Sequence, residues 1–202
     1  MKTKIKAGII GAAGYTGGEL IRLLVNHPNI ELTMLNSESN AGKKVYEVHK
    51  DLFGSTELYF TDELHTNMDV VFLCKGHGES KLILEQNKLP DNVKIIDLSQ
   101  DFRHKENSNG FIYGLPELNK EKIVSANKIA NPGCFATAIE LALLPLAKNN
   151  MLNETIHASA TTGSTGAGQS HSYYTHFSHR NQNHNAYKTL EHQHLKEITE
   201  SL

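Results

Sequence analysis

A glycine cluster directly after the first apolar segment constrains the fold of this sequence more than any other feature. Ile5-Lys6-Ala7-Gly8-Ile9-Ile10 predicts a buried strand, and Gly11, Gly14 and Gly17 follow at a spacing that predicts a tight turn opening into a helix. Glycines at such a turn let the backbone approach a pyrophosphate, which then sits at the helix N-terminus. This context favours dinucleotide binding, with an ordinary glycine-rich turn as the alternative.

Short apolar runs alternate with helical patterns along the first two thirds of the chain. A helix is predicted to begin near Thr16, and its residues 18–25 place Leu20, Leu23 and Leu24 on one helical face. The alternation predicts an α/β fold with a doubly wound parallel Rossmann sheet in residues 1–132. The further strands of this sheet are predicted at residues 30–35, 69–74 and 93–98.

A second domain is predicted to begin near Cys134. Residues 135–148 predict a helix rich in alanine and leucine, residues 155–162 a strand, and residues 163–168 a flexible loop. The remaining part of the chain is short for an independent α/β domain. We therefore expect residues 133–202 to form the start of an α+β domain that is incomplete, as in a truncated chain.

Composition narrows the class of protein. The formal net charge of -2 gives no electrostatic footprint for nucleic acid or an anionic membrane, and no apolar run is long enough to span a bilayer. The first residues show no signal-peptide pattern. Two cysteines, Cys74 and Cys134, do not make a disulfide framework. We expect a reduced, cytoplasmic protein in which a special cysteine is catalytic rather than structural.

The segment after the second strand carries the residues that discriminate between cofactors. Glu38 is placed to accept from a ribose 2′-hydroxyl, which favours NAD. Ser37, Ser39, Lys43 and Lys44 are placed to hold a 2′-phosphate, which favours NADP. These residues alone leave the two cofactors open, and a solvated polar loop is a third interpretation.

Cys134 is the candidate nucleophile. It follows Asn131-Pro132-Gly133 at the start of a predicted helix, where the dipole and the backbone N–H groups stabilise a thiolate. The same N–H groups are suited to hold the oxyanion that forms when sulfur attacks a carbonyl. The alternative is a small buried cysteine at a helix start. Cys74 lies inside an apolar strand and is expected to belong to the core.

A thiolate that performs acyl chemistry needs a general acid and base. Of the histidines between His171 and His194, His192 and His194 stand out because they follow a short extended run and have the spacing of residues on one face of a strand. That spacing also suits a metal, but no third ligand follows at a recognisable distance, so we expect no metal site.

Taken together, the motifs resemble those of the N-acetyl-γ-glutamyl-phosphate reductases of arginine biosynthesis, in order and over essentially the whole chain. Aspartate-semialdehyde dehydrogenases are similar at greater distance. The segments that carry the resemblance are Gly11-Ala12-Ala13-Gly14-Tyr15-Thr16-Gly17-Gly18-Glu19-Leu20, Asp97-Leu98-Ser99-Gln100-Asp101-Phe102-Arg103, Tyr113-Gly114-Leu115-Pro116-Glu117, Asn131-Pro132-Gly133-Cys134-Phe135-Ala136-Thr137, Gly163-Ser164-Thr165-Gly166-Ala167-Gly168 and His192-Gln193-His194-Leu195-Lys196-Glu197-Ile198.

The resemblance implies a Rossmann domain followed by a catalytic and dimerisation domain that begins at residue 133. It also implies NADP as cofactor, Cys134 as the nucleophile and a histidine base. Aligned on the pair Glu197-Ile198, His194 matches the base and His192 is the close second. The implied reaction converts an acyl phosphate into a semialdehyde and phosphate through a thioester on Cys134.

The resemblance also assigns substrate, partner and cofactor positions. Asn131 and Arg103 are implied to bind the substrate, although Arg103 is also a candidate structural partner of Asp101. The substrate is a small acyl phosphate whose N-acyl group stays open among acetyl, succinyl and carrier-linked forms, and a homo-oligomer is expected. The implied cofactor-binding residues are Gly11, Gly14, Tyr15, Thr16, Gly17, Ser37, Ser39, Ser164 and Gly166.

The chain departs from the family pattern at several points. Glu38 stands where the family has arginine, Lys75-Gly76-His77-Gly78 replaces Leu-Pro-His-Gly, and Lys196 replaces proline. Family members continue for roughly another hundred residues, enough to complete a second domain. We therefore expect the chain alone to bind dinucleotide weakly with little turnover. The rival interpretations are a sibling reductase of aspartyl or aminoadipyl phosphate and a catalytically silent nucleotide-binding fragment.

Overall fold

The computed structural model describes residues 3–202, and the chain divides into two units, Met1–Asn131 and Pro132–Leu202. The first unit is built on a six-stranded, entirely parallel sheet with the strand order β2-β1-β3-β4-β6-β5. Its strands are β1 (Ile5–Ile10), β2 (Ile30–Asn36), β3 (Val70–Leu73), β4 (Lys94–Asp97), β5 (Ile112–Tyr113) and β6 (Lys128–Ala130). Its helices are α1 (Tyr15–Leu24), α2 (Val45–Val48), α3 (Glu79–Gln86) and α4 (Pro116–Ser125).

Strand β1 lies between β2 and β3 in the sheet and is buried on both faces. Ala7 and Ile9 contribute to one hydrophobic core, which α1 covers, while Ile10 contributes to the core on the opposite face. Gly8 leaves room on that second face for Met34 and Met68. Two cores separated by a parallel sheet are what a doubly wound fold requires, and the Rossmann sheet predicted from the sequence is confirmed.

The order of the strands reverses at β1. From β1 the chain continues to β2 on one side, whereas β3 pairs with β1 on the other side. The loops that follow β1 and β3 therefore leave the same edge of the sheet at the point where strand order reverses. Ligands of open α/β sheets bind at such a switch point.

Helix α1 begins at Tyr15, within one residue of the start predicted near Thr16. Its buried face differs from the predicted one, since Leu23 is 70% exposed and does not share that face with Leu24. The buried face is formed by Gly17, Ile21 and Leu24, which recur at the spacing of one helical face. Leu23 lies about 200° around the helix from Ile21, so it points away from the sheet.

The second unit contains the helices α5 (Cys134–Lys148), α6 (Phe177–Arg180) and α7 (His194–Ser201) and two short 3-10 turns. The strand predicted for residues 155–162 is wrong: this segment is irregular and largely exposed. A strand is stabilised by ladder hydrogen bonds to a neighbouring strand. Residues 132–202 form no strand that would supply those bonds, so this unit lacks the sheet expected of an α+β domain.

Among residues 3–202, no helix combines the length and the apolar character that crossing a membrane would need.

Candidate active site

The turn between β1 and α1 has the geometry of a phosphate-binding loop. Gly11 has a φ of 82°, and a β-carbon there would lie 2.5 Å from the carbonyl oxygen of Cys74. A β-carbon on Gly17 would lie 2.6 Å from the carbonyl oxygen of Gly11. Only glycine fits at either position, because the turn packs closely against the residue that follows β3 and against itself.

The N-terminus of α1 is suited to bind an anion. Gly14 is its N-cap residue, and Tyr15 and Thr16, both exposed, form the start of its first turn. Within residues 3–202, no side chain caps this helix and no acidic residue lies in its first turn. The dipole and the backbone N–H groups therefore face solvent at the edge of the sheet where a pyrophosphate would bind.

The segment after β2 forms a polar network around Asn40. The Asn40 amide nitrogen lies 3.4 Å from the hydroxyl of Ser37 and 3.1 Å from that of Ser39, and donates to both. The amide oxygen accepts from Lys43 at 3.0 Å. Glu38 opens the 3-10 turn of this segment and is exposed. The network gathers one cation and two hydroxyl groups, a donor set that fits a phosphate.

Lys44 is engaged elsewhere. It donates to Glu57 at 2.6 Å and lies over the rings of Tyr46 and Tyr59. Its pKa is raised above the usual range, chiefly because of the hydrogen bond to Glu57. Lys43, and not Lys44, is therefore the lysine that belongs to the network around Asn40.

Arg103 is held by the backbone of its own unit. Its guanidinium donates through Nε to the carbonyl of Asn131 and through Nη2 to that of Leu98, both at 2.8 Å, and the residue is 8% exposed. Asp101 accepts from the amides of Gly78 and Lys81 at the start of α3. These contacts support a structural function for both residues, with Arg103 fixing the segment that ends at the exposed Asn131.

Cys134 is the first residue of α5, and its side chain is exposed. The N-cap of the helix is Gly133, whose carbonyl accepts from the amide and the hydroxyl of Thr137 at 2.8 and 2.9 Å. Cys74 differs from Cys134 in both position and exposure. It lies beside the core, and burial raises the pKa of its thiol to about 12. Of the two sulfur atoms, only that of Cys134 is placed at a helix N-terminus and accessible to a substrate.

His194 lies against Gly133, the residue that precedes Cys134. It begins α7 and is 7% exposed. Its ring packs on the α-carbon of Gly133, where a β-carbon would lie 2.5 Å from Cε1 and 2.7 Å from Cδ2. The prediction that His192 and His194 share a strand face is wrong, since His194 is helical, yet the two rings meet with centroids 4.6 Å apart.

Glu197 binds the same backbone position. It is 3% exposed, and its Oε1 accepts from the amide of Gly133 at 2.7 Å. Glu197 and His194 are one turn apart on α7, so both side chains reach the start of α5. The sequence analysis used Glu197 only to align the histidine motif. Its position three residues after His194 is the signal that would have placed it in the site.

His192 is held in one neutral form. Its Nδ1 accepts from the backbone amide of His194 at 3.2 Å, so the ring hydrogen is on Nε2, which lies 3.4 Å from the hydroxyl of Tyr187. Burial, and next the charge of Lys188, lower the pKa of His192. Protonation of Nδ1 would break the bond to His194, which makes His192 a support for that residue.

Two aromatic rings complete this surface. Phe135 contacts His192 edge-to-face at a centroid distance of 5.1 Å, and Tyr187 lies 6.4 Å from Phe135. Burial, and then the charge of Cys134, raise the pKa of Tyr187. Tyr187 was not a candidate in the sequence analysis.

A groove of about 530 Å³ lies between α5 and the irregular residues 156–162. Cys134 and Phe135 belong to its wall, together with small and aliphatic residues of α5. The volume is within the range of small-molecule sites. Ser164 and Gly166, which were expected to contact the cofactor, lie in the exposed 3-10 turn Ser164–Ala167 of the same unit.

Comparisons with known proteins give consistent matches. Residues 6–126 match the NAD-binding domain of semialdehyde dehydrogenase, and residues 134–202 match the semialdehyde dehydrogenase dimerisation domain. The chain is 57% identical over 197 residues to an N-acetyl-gamma-glutamyl-phosphate reductase of Christiangramia forsetii, covering 98% of this chain and 61% of that protein. It is 58% identical over 199 residues to one of Azobacteroides pseudotrichonymphae, covering 98% and 63%. The chain thus spans about three fifths of the length of these relatives.

Solved structures show the same fold. Aspartate semialdehyde dehydrogenase from Candida albicans, with NADP, superposes with a TM-score of 0.58 at 22% identity, covering 74% of this chain and 48% of that one. An aspartate semialdehyde dehydrogenase from Vibrio cholerae superposes with a TM-score of 0.56 at 22% identity, covering 72% and 47%.

The packing at Gly133 predicts a specific intolerance. Gly133→Ala introduces a β-carbon into the His194 ring, and such overpacking costs about 1–3 kcal/mol. We expect thermal denaturation to show a loss of this size. Gly163→Ala is the control, because its β-carbon would meet only Thr165 Oγ1 at 3.8 Å and its stability should change by less than about 0.5 kcal/mol. Equal stabilities for the two variants would contradict the packing described here.

Proposed function

Because the chain belongs to the semialdehyde dehydrogenase family, we propose that it reduces N-acetyl-γ-glutamyl phosphate, or another N-acyl form, to the semialdehyde with release of phosphate, as a step of arginine biosynthesis. The observation that carries the proposal is the exposed Cys134 at the start of α5, next to the glycine on which the His194 ring packs. Two relatives that are 57% and 58% identical to the chain are named as reductases of that acyl phosphate.

Cys134 is the covalent nucleophile in this proposal. Its thiolate attacks the γ-carbonyl carbon, a carbon–sulfur bond forms, and the bond from that carbon to the phosphate oxygen breaks. Phosphate leaves with the electron pair and a thioester remains. The N–H groups of the first turn of α5 stabilise the oxyanion of the tetrahedral intermediate.

His194 is the general acid and base. When bound, the nicotinamide supplies the hydride that reduces the thioester carbonyl. Protonated His194 donates a proton to the alkoxide formed on the Cys134-bound carbon, which gives the thiohemiacetal. His194 then accepts that hydroxyl proton while the carbon–sulfur bond breaks, which releases the aldehyde and restores the Cys134 thiolate. Glu197 and His192 hold the start of α7, and therefore His194, in place.

The glycine loop and the Asn40 network support a dinucleotide, and NADP in particular. Gly11, Gly14 and Gly17, with Tyr15 and Thr16 of α1, are assigned to the pyrophosphate. The hydrogen-bonded network around Asn40 is assigned to the 2′-phosphate. Its groups are the hydroxyls of Ser37 and Ser39, the amide of Asn40 and the ammonium of Lys43. Ser164 and Gly166 stay assigned to the cofactor through the family resemblance alone.

The remaining parts of the proposal concern assembly, location and substrate. The match of residues 134–202 to a dimerisation domain supports a homo-oligomer. A cytoplasmic location fits a mechanism that needs Cys134 as a free thiol. Asn131 and Arg103 are assigned to the substrate side, with Asn131 exposed and Arg103 fixing its backbone.

Cys134→Ser tests the covalent route. A serine hydroxyl has no ready equivalent of the thiolate, so we expect turnover of N-acetylglutamate semialdehyde, measured with NADP and phosphate, to fall by several orders of magnitude. The dissociation constant for NADPH should change by less than about twofold, because the glycine loop is untouched. A variant that keeps more than about a tenth of the activity would refute the thioester.

Lys43→Ala tests the cofactor. Removing this cation should raise the dissociation constant for NADPH by about tenfold and leave that for NADH unchanged, since NADH has no 2′-phosphate. Lys44→Ala is the matched control and should leave both constants unchanged, because Lys44 pairs with Glu57. Tighter binding of NADH than of NADPH by the unmodified chain would instead assign Glu38 to the ribose 2′-hydroxyl.

A further inference from the structure

His49 is a buried histidine that no step proposed above uses. It lies between α2 and the 3-10 turn Lys50–Leu52, its amide donates to the carbonyl of Val45 at 2.9 Å, and it is 7% exposed. This segment directly follows the polar network around Asn40, on the same side of the sheet as α1. A buried imidazole in such a position needs a polar partner.

That partner is the glycine loop. Nε2 of His49 lies 2.9 Å from the carbonyl oxygen of Ala12. A carbonyl only accepts, so Nε2 carries the hydrogen and donates it. Phe60 contacts the imidazole edge-on, with ring centroids 6.0 Å apart. The ring is thus held in one orientation beneath the loop.

Gly18 provides the space for this ring. It follows the G-x-x-G-x-x-G pattern and is not part of it, so the phosphate-binding motif does not explain it. A β-carbon on Gly18 would lie 2.6 Å from Cε1 of His49 and 2.7 Å from Nδ1. The glycine lets the imidazole approach the first turn of α1 closely enough to reach Ala12.

The hydrogen bond fixes the orientation of a peptide group in the loop. In a trans peptide the C=O and the following N–H point in opposite directions. Because the Ala12 carbonyl points towards His49, the amide of Ala13 points away from it. The amides of Gly11 and Ala12 are fixed separately, since both donate to the carbonyl of Asn36 at 3.1 and 3.0 Å.

We propose that His49 is a positioning residue for the pyrophosphate subsite. It binds the Ala12 carbonyl, seats against Gly18 and so sets the conformation in which the loop receives the dinucleotide. Its segment also links the 2′-phosphate network to the glycine loop, so that the two ends of the cofactor site are held in one arrangement. This inference rests on the dinucleotide site of the proposed function.

Binding measurements on paired variants test the inference. His49→Leu keeps a side chain of similar size without a donor, whereas the amide nitrogen of His49→Gln can reach Ala12. By titration calorimetry we expect His49→Leu to raise the dissociation constant for NADPH by about tenfold, because one buried hydrogen bond is lost. We expect His49→Gln to recover most of that affinity. The binding of adenosine 2′-phosphate, which lacks the pyrophosphate, should change by less than about twofold in both.

Gly18→Ala disturbs the contact between Gly18 and the His49 ring from the α1 side, and it tests the inference even if His49→Leu does not fold. Alanine is a better helix former than glycine, so weaker NADPH binding by this variant would come from displacement of the ring. Leu52→Val is the stability control: it trims a buried residue of the same segment and should lower the melting temperature without changing the NADPH affinity.

Three results would overturn the inference. Unchanged NADPH binding in His49→Leu or Gly18→Ala would do so directly. If His49→Leu lost affinity equally for NADPH and adenosine 2′-phosphate, and Leu52→Val lost as much, His49 would serve only stability. Failure of the unmodified chain to bind either NADPH or NADH would instead remove the proposed function, and this inference with it.

Discussion

The candidate active site depends on the absence of a side chain at Gly133. Gly133 is the N-cap residue of α5, and the ring of His194 occupies the space that a β-carbon would fill. The backbone amide of Gly133 donates to the carboxylate of Glu197, which lies one helical turn after His194 on α7. Two side chains of one helix therefore hold a single backbone position next to Cys134, which fixes His194 relative to the start of α5. Positioning of this kind matters because a displacement of about an ångström can cost a hundredfold in rate.

The two units use the same packing device for different purposes. In the first, the ring of His49 lies against Gly18 in the first turn of α1; in the second, the ring of His194 lies against Gly133 at the N-cap of α5. In each case glycine lets an imidazole approach a helix N-terminus, where backbone N–H groups meet a ligand or an oxyanion. The rings differ in what they do: His49 donates to a loop carbonyl, whereas His194 is assigned to proton transfer.

Structural features that depend on residues close together in the sequence were predictable. The first four strands, the glycine turn and helix α5 follow from periodicity and turn residues over short windows. Residues 155–162 have strand-like composition but form no strand, because a strand also needs a partner. His49 and Glu197 were not found because their contacts, with Ala12 and Gly133, join residues 37 and 64 positions apart. Propensity carries no information about such long-range contacts.

Mass spectrometry is the sharpest test of the proposed thioester between Cys134 and the substrate. The chain is mixed with freshly prepared N-acetyl-γ-glutamyl phosphate in the absence of nicotinamide cofactor, so that the acyl group cannot be reduced, and is then quenched in acid and digested. We expect one N-acetylglutamyl group on the peptide containing Cys134, and we expect hydroxylamine to remove it. Acylation of another residue, or the same labelling in Cys134→Ser, would refute the thioester.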